Sequence, residues 1–154
     1  MRDLQEIQGN NATMVLISAD RPNLGTEELR ERHANMKATI TGLLGLKATD
    51  VVGCFEGETE AAMAVMTNDR ADVRRLAMLA SEYDQASILV LGAQGETLRD
   101  GRIARELVIA DFDAGTDTHG EIAGMFRPVD QETAHRNVGW TYVPAMRQYF
   151  TITS

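Results

Sequence analysis

The sequence contains a single cysteine, Cys54, among its 154 residues. One cysteine excludes an intrachain disulfide and a metal site built from several thiolates, and it favours a reducing compartment. The three histidines, His33, His119 and His135, are not spaced as a metal motif, so we predict no metal site. Because no apolar run approaches 18 residues and the N-terminus lacks a secretory pattern, we expect no membrane span and a cytoplasmic location.

Basic residues are also scarce, with 15 Lys and Arg against 23 Asp and Glu and a net charge of −8. Binding to a nucleic-acid backbone requires clustered cations, so we predict no nucleic-acid partner. The basic residues are nevertheless interspersed among the acids, which disfavours an acidic DNA mimic. The length fits one domain covering residues 1–154.

The stretch from residue 49 to 66 organises the rest of the chain. It has two apolar runs, Val51–Phe55 and Ala61–Met66, separated by Glu56-Gly57-Glu58-Thr59-Glu60. A polar break of this length around a glycine predicts a β-hairpin, with three carboxylates at its tip. Acidic turn residues usually serve only solubility. Glu60, however, opens the second strand, where strand geometry would aim its side chain, and we take it as a candidate functional residue.

The run Thr13–Ser18 predicts a buried central strand, which ends at the Pro- and Gly-containing segment 19–25. Arg21 and Asn23 supply hydrogen-bond donors just beyond that strand. With Asp20, they either contact a ligand or only satisfy a tight turn, and the sequence favours neither interpretation.

Two amphipathic helices are predicted on either side of the hairpin. The first starts at Thr26 as N-cap and runs about five turns, and the second is capped by Asn68 or Asp69. His33 falls beside the buried stripe of the first helix, a position more typical of packing than of catalysis. A further strand is predicted over residues 86–92.

The resulting order, β-α-β-β-α-β, predicts a ferredoxin-like α+β fold with two helices on one face of an antiparallel sheet. Residues 98–154 add strand candidates at 104–110, 122–126 and 149–153, a loop at 111–120 and an irregular segment around Trp140, Tyr142 and Pro144, in an order that the sequence does not fix. The second face of the sheet then lacks a cover. We expect self-association with cyclic symmetry to bury it.

Five pieces of the sequence, in this order, resemble the phage-encoded S-adenosylmethionine lyases, formerly called S-adenosylmethionine hydrolases. The similarity covers roughly residues 12 to 95. The pieces are Ile17-Ser18-Ala19-x-Arg21-x-Asn23-Leu24, Arg32-His33-x-x-Met36, Thr49-Asp50-x-x-Gly53-Cys54-Phe55, the glutamate that opens the next strand, and Leu89-Val90-x-x-x-Gln94.

The resemblance implies a PII-like trimer with active sites between subunits and without a cofactor. It implies cleavage of S-adenosylmethionine to 5′-methylthioadenosine and homoserine lactone. In a host cytoplasm, this reaction would deplete the methyl donor on which restriction-modification systems depend.

The same resemblance places the catalytic glutamate at Glu60. Substrate-binding residues are expected at Ser18, Arg21, Asn23, Phe55 and Gln94. At Phe55 the family tends to have a tyrosine, so the hydroxyl is missing here while an aromatic face remains. The alternative is a trimeric, PII-like regulator that binds an adenine nucleotide without cleaving it, but the chain has no Gly-rich loop or basic cluster to receive a triphosphate.

Overall fold

The computed structural model describes residues 13–92, 101–116 and 120–153. Within these residues, eight antiparallel strands close into a barrel in the order β1-β3-β2-β7-β8-β6-β5-β4. The strands are β1 (Thr13–Ser18), β2 (Ala48–Phe55), β3 (Glu58–Thr67), β4 (Ser87–Leu91), β5 (Arg102–Val108), β6 (Glu121–Val129), β7 (Gly139–Val143) and β8 (Gln148–Thr153).

The helices are α1 (Thr26–Ala38), α2 (Arg70–Glu82), α3 (Ile109–Asp113) and α4 (Gln131–His135), and α1 continues as a π-helical turn, Thr39–Leu43. Asp69 caps α2 as predicted, because its side chain accepts a hydrogen bond from the Ala71 amide at 2.8 Å. Gly25 is the N-cap of α1, so the assignment of Thr26 to that position was wrong by one residue. In the described ranges, no helix is both long enough and apolar enough to cross a membrane.

The predicted ferredoxin-like fold is wrong. Residues 13–91 do follow the order β-α-β-β-α-β, and their strands lie side by side as β4-β1-β3-β2. The sheet does not stay open, however, because β5 pairs with β4 at one edge and β7 pairs with β2 at the other. The last four strands therefore join both edges of the first four and leave no sheet edge unpaired.

Side-chain alternation in the strands creates two cores on opposite faces of the sheet. One core lies between the barrel wall and the helices and includes Val15, Ile17 and Met63. The other fills the barrel interior and receives side chains from every strand: Met14, Leu16, Val51, Ala62, Ala64, Met66, Leu91, Ala104, Phe126, Val143 and Phe150. An eight-stranded barrel is just narrow enough for side chains to fill in this way.

The barrel interior is the sheet face for which we expected self-association. That face is covered within one chain, so the sequence-based reason for a trimer no longer holds. The apolar side chains that fill the face come partly from the last third of the chain, including Phe126 and Phe150, which are stacked with ring centroids 4.9 Å apart.

Two local predictions for the last third were also wrong. The segment around Trp140 and Tyr142, predicted to be irregular, forms β7. The candidate strand 104–110 starts earlier as β5 and gives way at Ile109 to the short helix α3, which occupies the start of the predicted loop.

Candidate active site

Glu60 lies at the rim of the barrel. It is the third residue of β3 and pairs with Gly53 of β2. Because Ala62 and Ala64 point into the barrel, alternation places Glu60 on the same inner face, one pair further towards the open end. The hairpin turn itself consists of only Glu56 and Gly57, both with positive φ, so Glu60 is held by strand pairing as predicted.

Gly53 leaves room for the Glu60 side chain. A Cβ atom placed on Gly53 would lie 3.6 Å from Cγ and 3.8 Å from Oε1 of Glu60, so the acidic side chain crosses directly over the glycine. Glu60 is exposed as a whole residue, while its carboxyl group is partly buried among its neighbours. A carboxylate side chain that packs against Gly53 on one side and faces solvent on the other is suited to contact a ligand.

Ser18 and Asp20 fix the main chain next to Glu60. The Ser18 hydroxyl donates to the carbonyl of Ala61 at 2.8 Å and accepts from the Asp20 amide at 3.0 Å. Oδ2 of Asp20 accepts from the Ala61 amide at 2.9 Å, whereas Oδ1 is buried and has no hydrogen-bond partner in the described part of the chain. The end of β1 is thus attached to the start of β3 through two side chains.

The carboxyl group of Glu60 is perturbed by these neighbours. Partial burial raises the pKa of Glu60 above its ordinary value, and the negative charge of Asp20 raises it further. Burial and a like charge both penalise the ionised form. A carboxyl group with a raised pKa at an open rim is a candidate functional group.

An apolar patch lies beside Glu60 at the rim. Phe55 follows Gly53 by two residues, so it lies on the same side of β2, and 64% of its surface is exposed. A Cβ atom on Gly139 would lie 3.4 Å from its ring, and Val138, whose carbonyl accepts a hydrogen bond from the Glu56 amide at 2.8 Å, is 62% exposed. We name Phe55 and Val138 the rim patch. Exposed apolar groups beside a polar site are typical of a ligand or subunit contact.

Arg21 and Asn23 do not reach Glu60 in this chain. Arg21 donates through Nη1 to the carbonyl of Asp84 at 2.9 Å, and Asn23 adopts a positive φ of 68° in the turn. Within one chain, these two residues therefore satisfy a tight turn, which is the second of the two interpretations offered above.

Sequence reasoning missed two residues that hold the loop after β1. Arg32 donates to the carbonyl of Ala19 at 2.7 Å and to that of Tyr83 at 2.6 Å, while Gln85 donates to the carbonyl of Asp20 at 3.0 Å. Their contacts join the loop to the end of α2, across more than 50 residues of sequence, and no local pattern could indicate them.

Gln94 lies outside the described residues. The strand that leads to it ends at Leu91, which pairs with Met14 at the beginning of β1. Ser18 is at the other end of β1, so within one chain β4 ends at the opposite end of the barrel from Glu60.

His33 lies on the outer wall, away from the rim. Its Nε2 is 3.0 Å from Oδ1 of Asp50, which Lys37 also contacts at 3.2 Å. Burial raises the pKa of Asp50, but the hydrogen bonds and charges of His33 and Lys37 outweigh it, so the pKa lies below the ordinary value. The pair connects α1 to β2, in agreement with the packing interpretation of His33.

Two surface depressions lie elsewhere, on the outer face of β6–β8 and beside α4, with volumes of about 470 and 690 Å³. The first is lined by Tyr142, Tyr149 and Arg147 and the second by His135 and Arg136. Both are shallow, and the second also includes the carboxylates of Asp130 and Glu132. The pKa of Asp130 is lowered by its hydrogen bonds with Thr133, whereas the pKa of the strand-held Glu60 is raised, so we place the candidate site at Glu60.

Comparison with known protein families decides the assignment. The model of the S-adenosylmethionine lyase family matches residues 15–153, which include most of β1 and the whole of β2 to β8. The chain belongs to the S-adenosylmethionine lyase family. No curated protein matches it. The chain is thus an enzyme, an S-adenosylmethionine lyase, and the match extends well beyond the region 12–95 in which the sequence motifs are found.

Proposed function

We propose that this lyase cleaves S-adenosylmethionine to 5′-methylthioadenosine and homoserine lactone at a site centred on Glu60. The observation that carries the proposal is the position of Glu60, a strand-anchored carboxylate at the barrel rim of a chain in the S-adenosylmethionine lyase family. Asp20, the acidic residue next to Glu60, suits the cationic tail of this substrate, and the rim patch suits its aromatic base.

The reaction needs only the atoms of the substrate. Its α-carboxylate attacks Cγ, the Cγ–S bond breaks, and the bonding electrons go to sulfur, which leaves as the neutral thioether. The new C–O bond closes a five-membered lactone, and no proton moves in this step. Catalysis then consists mainly of holding the tail folded so that the carboxylate and Cγ meet, which can contribute up to about 10 kcal/mol.

Glu60 is best suited to hold the α-ammonium or the ribose hydroxyls. A carboxylate next to the sulfonium would stabilise the ground state more than the transition state, in which the charge is dispersed, and would slow the reaction. The Ser18 hydroxyl donates its hydrogen bond to the main-chain carbonyl of Ala61. In a single chain, Ser18 therefore acts by fixing Glu60 rather than as a free donor.

The rim patch is suited to receive adenine. The exposed ring of Phe55 can stack on a purine, and Val138 extends the apolar surface. The missing tyrosine hydroxyl changes hydrogen bonding at this position but leaves the stacking surface in place.

We further propose that the active enzyme is a trimer with the site between subunits, as the resemblance implies. Supporting this, Glu60 and Phe55 are open to solvent in one chain, whereas folding the substrate tail requires an enclosed site. Arg21 and Asn23, which do not contact Glu60 in one chain, and Gln94, which lies outside the described residues, would then contribute to a neighbouring subunit's site. Depletion of the methyl donor, acting against host restriction, is the biological role that we propose.

The test is incubation of the purified protein with S-adenosylmethionine and identification of the products by mass spectrometry. We expect methylthioadenosine and homoserine lactone, with homoserine appearing only later by hydrolysis. In ¹⁸O-water, prompt label in the side-chain hydroxyl of homoserine would instead indicate attack by water at Cγ. S-adenosylhomocysteine, which lacks the sulfonium leaving group, is the matched control and should remain intact.

A further inference from the structure

Asp20 makes more contacts than a turn residue requires. Its Oδ2 accepts from the Ala61 amide, its amide donates to Ser18, and its carbonyl accepts from Gln85, so its position is set by β1, by β3 and by the segment after α2. The second carboxylate oxygen, Oδ1, is buried and makes no hydrogen bond to any described residue. Asp20 is therefore a rigidly held carboxylate in which one oxygen, covered by its neighbours, has no donor in the described part of the chain.

An unused buried oxygen is costly because it has lost its water without gaining a partner. No described cation relieves this cost, since Arg21 and Arg32, the nearby cations in the same region, donate to main-chain carbonyls. The described ion pairs involve neither Asp20 nor Glu60. Two carboxylates therefore lie next to each other at the rim, and their shared electrostatic environment favours a cation.

We propose that Asp20 is a second substrate-binding residue, and that it holds the α-ammonium of S-adenosylmethionine together with Glu60, Oδ1 of Asp20 accepting one N–H. This inference rests on the function proposed above. The ammonium has three N–H donors to offer, whereas the sulfonium has none, so hydrogen bonding at Oδ1 selects the ammonium. Gripping the ammonium also leaves the substrate carboxylate free to attack.

Substrate binding then displaces a proton. Before binding, partial burial and the negative charge of Asp20 raise the pKa of Glu60. The other groups facing Glu60 are Gly53, which carries no charge, and Glu58, which lies at the exposed tip of the same strand. The ammonium stabilises the ionised carboxylate, so a proton held by Glu60 goes to solvent, and at most one proton is released per bound molecule at any pH at which the free enzyme holds it.

Calorimetric titration in two buffers of different ionisation enthalpy measures this release. S-adenosylhomocysteine carries the ammonium and a neutral sulfur, whereas methylthioadenosine lacks the whole amino-acid tail. We expect proton release with the first ligand and none with the second. Equal proton release by both, or no detectable binding of S-adenosylhomocysteine, would overturn the inference. Neither ligand needs turnover, so a failure of the proposed reaction is detected separately.

Asp20→Asn keeps an oxygen for the Ala61 amide but removes the charge. We expect this variant to weaken the binding of S-adenosylhomocysteine at least about tenfold, to change the affinity for methylthioadenosine less than about twofold and to abolish most of the proton release. Asp84→Asn, which removes a nearby charge whose side chain has no described contact, should change none of these quantities. Equal weakening of both ligands by Asp20→Asn would mean a structural role only. If that variant does not fold, Glu60→Gln must abolish proton release, and persistence of the release would refute the inference.

Discussion

The variant Phe150→Ala tests the closure of the barrel. Phe150 is fully buried in the barrel interior and stacks on Phe126, which is 2% exposed. Removing a buried phenylalanine side chain costs about 3–5 kcal/mol, because apolar contacts are lost and a cavity remains. The whole free energy of unfolding of a domain is only about 5–15 kcal/mol, so this variant is expected to be marginally stable.

Chemical denaturation followed by circular dichroism measures the change, and a thermal scan should show a midpoint lowered by roughly 6–20 °C. The matched control is Phe55→Ala, which removes the same side chain from a position that is 64% exposed and should cost less than about 1 kcal/mol. If Phe150→Ala cost no more than Phe55→Ala, β8 would not pack into the barrel, and the closed fold would be refuted.

Four further predictions follow from the same structure. Gly124→Ala should destabilise the protein by about 1–3 kcal/mol, since its Cβ would lie 2.5 Å from the carbonyl oxygen of Thr153, whereas Gly53→Ala meets only ordinary contacts and should cost less than 1 kcal/mol in the same denaturation assay. Asp50→Asn should lose up to about 1 kcal/mol of stability at neutral pH. The pKa of Asp50 is lowered in the folded protein, so the stability difference between wild type and Asp50→Asn should persist at pH values above the ordinary pKa of an aspartate. It should vanish as the pH falls through the pKa of Asp50 in the folded protein. A difference that does not depend on pH would contradict the ion-pair account. The acid limb of kcat/KM should lie at a higher pH than for an ordinary glutamate, because Glu60 must be ionised to hold an ammonium and its pKa is raised, and a limb at or below the ordinary position would argue against this role. Light scattering at micromolar concentration should show a trimer, and a particle near 17 kDa would mean that one chain forms the site alone.

Local sequence pattern was sufficient to predict the order of helices and strands in the first half of the chain. Alternation and turn residues predicted the β2–β3 hairpin, and helical spacing with Asp69 predicted α2. These features depend on neighbours a few residues apart, so they can be read directly from the sequence.

Barrel closure depends on pairings that no local pattern encodes. The β2–β7 pairing joins Val52 to Tyr142, 90 residues away along the chain. The alternation of Trp140 and Tyr142 outside with Thr141 and Val143 inside is present in β7, but its short length made it indistinguishable from an irregular segment. An apolar sheet face indicates only that something covers it, not whether the cover comes from the same chain.

The candidate site shows the same division. Glu60 was predictable as a strand residue next to the hairpin turn, although β3 begins two residues earlier than predicted, at Glu58, and its proximity to Ser18 follows from the β1–β3 pairing. Asp20 could be given only a turn role or a ligand role, since its contacts with Ala61 and Gln85 join residues 41 and 65 positions apart.

The comparison of Glu60→Gln with Glu58→Gln tests the central claim most directly, with methylthioadenosine formation from S-adenosylmethionine followed by chromatography. The substitution at Glu60 keeps volume and some hydrogen bonding but removes the charge, and a charge-assisted hydrogen bond is about twice as strong as a neutral one. We expect kcat/KM to fall at least about tenfold for Glu60→Gln, equivalent to about 1.4 kcal/mol, and to be nearly unchanged for Glu58→Gln and Glu56→Gln, whose side chains are exposed at the hairpin tip. Wild-type kinetics in a folded Glu60→Gln variant, or an equal loss in all three variants, would contradict a catalytic site built on this one positioned carboxylate.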